Sequence, residues 1–113
     1  MHELAITEGL LKVAVGAADG RRIRSISLVI GALSSVVDDS VQFYFDILSR
    51  ESAAEGAQLV FRRIPADGIC LACGTTTLVT PPLPLACAAC GSRQLRVTGG
   101  DQFQVESIEV DDP

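Results

Sequence analysis

Two copies of one five-residue unit, Cys70-Leu71-Ala72-Cys73-Gly74 and Cys87-Ala88-Ala89-Cys90-Gly91, hold all four cysteines of the chain. Thirteen residues separate Cys73 from Cys87. In each C-x-x-C-G unit two thiols share a tight turn, and the glycine relieves the backbone where it bends around an ion. Four thiolates converging in this way suit a closed, tetrahedral Zn²⁺ site of the structural kind, with Cys70, Cys73, Cys87 and Cys90 as ligands. Between the units, Thr75 to Leu85 run out and return as a turn-rich hairpin, stiffened by prolines at 81, 82 and 84.

Other uses of the cysteines fit less well. Two disulfides would need an oxidising compartment, whereas no export signal is seen at the N-terminus, so reduced thiols and a cytoplasmic protein are expected. A dithiol redox motif accounts for one C-x-x-C pair but not for its duplicate. Rubredoxin-like iron uses the same knuckles, but such sites are usually wrapped in aromatic side chains, and this loop has none. The gap between the pairs is slightly shorter than the usual zinc-ribbon window.

A chain of 113 residues makes one ordinary domain, or a small domain with a metal-stapled appendage. Apolar residues make up 48%, enough for one modest core, with no run near the ~20 residues of a membrane span. The net charge of −5 counts against nucleic-acid binding, which is driven by neutralising phosphates. Four thiolates holding one Zn²⁺ would make the chain more acidic still.

In chain order, Ile6, Leu10, Val13 and Ala17 recur at helical spacing, and Asp19-Gly20 stops that helix. Ile23 to Ile30 reads as a strand, with Ile26, Leu28 and Ile30 on one face and Ser25 and Ser27 alternating with them. Asp38 is the expected N-cap of a second helix whose buried stripe is Val41, Phe45 and Leu48. Its aromatics, Phe43, Tyr44 and Phe45, are expected in the core. Gln58 to Ile64 is a second strand, closed by Pro65. Phe103 to Val110 is a third, with a pattern around Glu106-Ser107 that suggests a bulge.

The expected fold class is α+β: two helices packed on a small three-stranded sheet, with a zinc-ribbon-like hairpin inserted between the second and third strands. Those two strands are expected to be antiparallel neighbours. Residues 1–66 plus 97–113 would form one domain and residues 67–96 the zinc-binding one, joined through hinge-like segments at Ala66-Asp67-Gly68 and Gly99-Gly100, whose glycines fit equally well as turn residues with no functional motion.

The N-terminus carries a second metal signal. His2 is the only histidine, and a lone histidine is most often a residue without special chemistry. Its place beside a free amine changes that prior. The α-amine of Met1, the backbone amide of His2 and the imidazole Nδ1 close a five- and a six-membered chelate ring, a nitrogen set that Ni²⁺ and Cu²⁺ favour. The amide or carboxylate of Glu3, a water or a partner group would complete the square. Met1 must be retained and its amine unblocked, and the amide proton must leave, so affinity should rise with pH.

Met1-His2-Glu3-Leu4, Glu55-Gly56-Ala57-Gln58-Leu59, the paired C-x-x-C units and the ending Gly100-Asp101-Gln102-Phe103-Gln104-Val105-Glu106-Ser107-Ile108-Glu109-Val110 occur in an order that resembles the HypA/HybF family. The resemblance covers essentially the whole chain. It implies a metallochaperone that takes Ni²⁺ at Met1, His2 and Glu3 as cargo. Delivery would be to the large subunit of [NiFe]-hydrogenase, with a nickel-binding accessory GTPase, and in some organisms to urease maturation proteins. It also implies structural zinc at Cys70, Cys73, Cys87 and Cys90. Some relatives carry histidines beside the cysteine pairs; this chain has none there, so any coupling between its metal sites would need thiol protonation or hinge motion.

A zinc-ribbon interaction adaptor is the alternative, and it has no use for a free amine at Met1 or an imidazole at His2. An enzyme fits worst. Zinc consumes the four cysteines and leaves no open coordination site, and outside His2 there is no histidine or free-cysteine base. No nucleic acid is expected among the partners.

Overall fold

The structure, a computed structural model, describes residues 3–111. The elements are α1 (Glu3–Ala18), β1 (Ile23–Gly31), α2 (Asp38–Leu48), β2 (Gln58–Ile64), β3 (Ala66–Cys70), β4 (Thr76–Val79), β5 (Leu95–Thr98) and β6 (Phe103–Val110). They make an α+β fold with two three-stranded sheets, ordered β2-β1-β6 and β4-β3-β5. The chain divides into two compact units. One gathers residues up to Val29, Ser35–Arg62 and those from Gln104 onward; the other is Ile30–Ser34 with Arg63–Phe103.

In the first unit, α1 packs on α2. Thr7, Leu10, Ala14 and Ala18 form the buried face of α1, not the expected stripe through Val13 and Ala17. Val13 is 58% exposed. The helix is apolar around most of its circumference, so periodicity fixes its existence but not its rotation. The fully buried Thr7 hydroxyl is satisfied by the carbonyl of Glu3, one turn back. Asp19 and Gly20 end the helix at φ of 51° and 82°, a left-handed turn.

Helix α2 differs from expectation at its start and on one side. Its N-cap is Val37, without a side-chain cap, and Asp38 stands inside the first turn with Asp39. There both carboxylates meet the positive end of the helix dipole. Val41 and Phe45 are fully buried, but Phe43 is 62% exposed and stacks edge-on against Tyr44 at 5.5 Å instead of entering the core. Ile23, Ile26 and Leu28 of β1 and Leu59 of β2 are also buried.

The sheet order corrects the expected pairing of the second and third strands. β1 lies between β2 and β6, which therefore do not touch as neighbours. The physical reason is burial: Leu28, Val29 and Ile30 are consecutive buried residues, and a strand buried on both faces takes the centre of a sheet.

In the second unit, Ala66-Asp67-Gly68, expected as a hinge-like segment, lies in regular secondary structure. It opens β3, the central strand, with Gly68 opposite Thr77 of β4 and Val97 of β5 in antiparallel register. Gly68 serves close packing, since a Cβ there would lie 2.7 Å from Val79 Cγ2. Gly100 is packed as well as turned: its φ is 79°, and a Cβ would meet Ala66 at 2.7 Å. The tightest approach is at Gly31, whose amide donates to Gln102 O at 2.8 Å. A Cβ on Gly31 would fall 2.0 Å from the backbone carbon of Gly100.

Two glycine-to-alanine changes should therefore act in opposite directions. Gly31→Ala forces backbone apart and should destabilise by about 3 kcal/mol, the upper part of the overpacking range. Gly9→Ala, inside α1 with nothing within 4 Å, should stabilise by about 1 kcal/mol through helix propensity. Urea denaturation of both variants checks the signs.

Candidate metal centre

β3 ends on Cys70, which begins the first of two knuckles built on one hydrogen-bond pattern. In the first, Gly74 N donates to Cys70 O at 2.9 Å and Cys70 N to Thr75 O at 3.0 Å. In the second, Gly91 N donates to Cys87 O at 2.8 Å and Cys87 N to Ser92 O at 2.7 Å. Gly74 and Gly91 stand at φ of 77° and 78°, and a Cβ on either would meet nothing within 4 Å. Backbone conformation, not space, is what requires glycine there. Leu71 N donates to Gln94 O at 2.8 Å and ties the first knuckle to the chain beyond the second.

This local geometry gathers the four sulfurs. All four cysteines are free thiols, and their Sγ atoms lie within 4.8 Å of one another. Cys70 and Cys90 are 3.5 Å apart, and Cys73 and Cys87 are 3.7 Å apart. A tetrahedron with metal–sulfur bonds of about 2.3 Å has edges of about 3.8 Å, so the set fits a four-coordinate thiophilic dication. Cys70 and Cys87 are buried while Cys73 and Cys90 are exposed. The amide of Cys73 faces Cys70 Sγ, and that of Ala89 faces Cys87 Sγ, each at 3.4 Å.

The thiols are electrostatically unequal. Cys73 is held down to about 6, first by the Thr75 hydroxyl 3.1 Å away and then by the Thr75 amide, both favouring the thiolate. Cys70 is also lowered, chiefly by the amide of Cys73. At Cys90 the Ser92 amide favours the thiolate, but the sulfurs of Cys70 and Cys73 outweigh it and push the thiol up to about 12. Four neighbouring thiolates repel, and a bound cation removes that repulsion.

Of the residues expected to hold nickel, Met1 and His2 lie outside the described residues. Glu3 is the first residue of α1 and is half-buried. Its Oε2 accepts from Val37 N, at the start of α2, at 3.4 Å. The contribution of Thr75 was missed by sequence reasoning, although a signal exists: a hydroxyl residue stands two places after the second cysteine of each pair, Thr75 and Ser92.

Fold and site together define a small α+β metal-handling protein built around a four-thiol centre. The chain belongs to the HypA family, described as hydrogenase/urease nickel incorporation, metallochaperone, whose model matches residues 1–110. A hydrogenase maturation factor HypA of Dehalococcoides mccartyi is 48% identical over 115 residues, covering 99% of this chain and 96% of the relative. Its counterpart in Geobacter metallireducens is 38% identical over 111 residues, covering 98% and 100%. The solution structure of the Ni metallochaperone HypA from Helicobacter pylori shares the fold, with a TM-score of 0.66 at 19% identity over 97% of each chain. The family is one of nickel metallochaperones for hydrogenase maturation, not of enzymes. Among the described residues no helix is long and apolar enough to cross a membrane.

Metal uptake by the thiols must release protons. At pH 7 Cys73, at about 6, is mostly thiolate, whereas Cys90, at about 12, still holds its proton. Zinc binding at pH 7 should therefore release at least one proton and fewer than four. As pH falls through about 6, Cys73 also reprotonates and affinity should drop more steeply. Calorimetry in buffers of different ionisation enthalpy measures both; pH-independent affinity between pH 5 and 8 would contradict the assignment.

Proposed function

We propose that the chain carries Ni²⁺ as cargo at its N-terminus and keeps a structural Zn²⁺ at Cys70, Cys73, Cys87 and Cys90. Nickel binds the α-amine of Met1, the amide and Nδ1 of His2, and the backbone of Glu3. The cargo goes to the large subunit of [NiFe]-hydrogenase, in work shared with a nickel-binding accessory GTPase, and in some organisms to urease maturation proteins. The observation that carries this reading is the family match, which begins at residue 1 and so includes the Met1-His2-Glu3 sequence itself.

Chemistry supports dividing the metals this way. A four-thiolate set is coordinatively closed and retains its ion as a fold element. A short amine–amide–imidazole chelate takes its donors from consecutive residues, satisfies Ni²⁺ in square-planar geometry and can hand it on by ligand exchange. The Glu3 carboxylate already serves the Val37 amide, which favours the Glu3 backbone over its side chain as the fourth ligand.

Two changes at the terminus test this directly. Two residues added before Met1 move the amine and break the five-membered ring; His2→Ala removes the imidazole. Each should abolish tight Ni²⁺ binding and hydrogenase maturation while leaving one Zn²⁺ per chain and an unchanged fold. Glu3→Gln should do less. Undiminished nickel affinity after the two-residue extension would refute the terminal chelate.

A further inference from the structure

The two knuckles share a backbone and differ at one side chain. Cys73 and Cys90 hold equivalent places and are both exposed. The sulfur of each receives the amide of the residue two places on, Thr75 or Ser92. Their hydroxyls are used differently. Thr75 Oγ1 lies 3.1 Å from Cys73 Sγ. Ser92 Oγ instead accepts from Gln94 N at 3.1 Å, along its own stretch of chain. Thr75 also lines a recess with Leu78, Pro84 and Leu95, apolar neighbours for a γ-methyl that serine lacks.

The geometry points to an unequal four-thiolate site in which Thr75 anchors Cys73, and Cys90 is the exchangeable position that gives way first to an electrophile or an incoming ligand. This rests on the reading of the four cysteines as zinc ligands. A hydroxyl donated to a bound thiolate draws density from the sulfur, lowers its nucleophilicity and fixes its rotamer. Cys70 and Cys87 have burial and a facing amide instead, at 1% and 7% exposure. Cys90 alone of the four combines exposure with a hydroxyl partner turned elsewhere. Thr75 is thus a positioning residue for the metal centre, acting through Cys73.

The test is timed alkylation of the zinc-loaded full-length protein with iodoacetamide, with the modified cysteine mapped by mass spectrometry and zinc counted in the same samples. In each event a sulfur–carbon bond forms and iodide leaves. The wild type should be modified first at Cys90. Thr75→Val, which keeps shape and loses the hydroxyl, should speed modification of Cys73 roughly tenfold, the scale of one charge-assisted hydrogen bond. Ser92→Ala should leave the Cys90 rate unchanged. Modification of wild-type Cys73 as fast as Cys90, or a Cys73 rate indifferent to Thr75→Val, overturns the inference. If Thr75→Val does not fold, the order in the wild type decides alone. A wild type with less than one zinc per chain shows instead that the zinc assignment has failed, and this inference falls with it.

Discussion

Four sulfurs within 4.8 Å of one another are the constraint on which the second unit depends. The buried apolar residues of that unit, among those described, are Ile30, Ala66, Cys70, Val79 and Cys87. Two of the five are cysteine. Its sheet, β4-β3-β5, is short-stranded, and Leu78 and Leu85 of the intervening chain are exposed rather than packed. So little buried apolar surface cannot offset the entropy of ordering such a segment. On the reading proposed above, a structural Zn²⁺ contributes on the order of 10 kcal/mol and makes the unit's folding a consequence of metal binding.

Everything around the sulfurs serves that convergence. The positive φ of Gly74 and Gly91 bends each knuckle, and the paired amide donations close it. Leu71 N to Gln94 O then ties one knuckle to the chain beyond the other. β3 supplies a fixed approach to Cys70, held from both sides by β4 and β5. The glycine contact at Gly31 and Gly100 belongs to the same unit and holds backbone against backbone where a side chain would not fit. The proposed nickel chelate asks for none of this. Its proposed donors, on Met1, His2 and Glu3, are consecutive in the chain and need no convergence of distant segments.

Much of this was legible in the sequence, and the failures have physical causes. The duplicated C-x-x-C-G unit fixed which residues converge, because tight turns carry their own geometry. α1, β1, α2, β2 and β6 were legible from periodicity. β3 was hidden because Ala66-Asp67-Gly68 has poor strand propensity, and it is a strand by virtue of its neighbours. β4 was hidden inside what read as hairpin, although Thr76-Thr77-Leu78-Val79 is rich in β-branched residues. The central place of β1 was written in its run of consecutive apolar residues, but chain adjacency suggested a β2–β6 pairing instead. Rotation of α1 was ambiguous because apolar residues occur on nearly every side of it. Phe43 shows that an aromatic in a helix is not thereby a core residue.

The proposed division of metals puts nickel on nitrogen at the terminus and zinc on sulfur at the knuckles. X-ray absorption at both metal edges, on one sample carrying a single equivalent each of Ni²⁺ and Zn²⁺, distinguishes the two donor sets. Only nitrogen and oxygen neighbours are expected around nickel, and four sulfurs at about 2.3 Å around zinc. Sulfur in the nickel shell, or loss of sulfur from the zinc shell when nickel is added, would contradict that division.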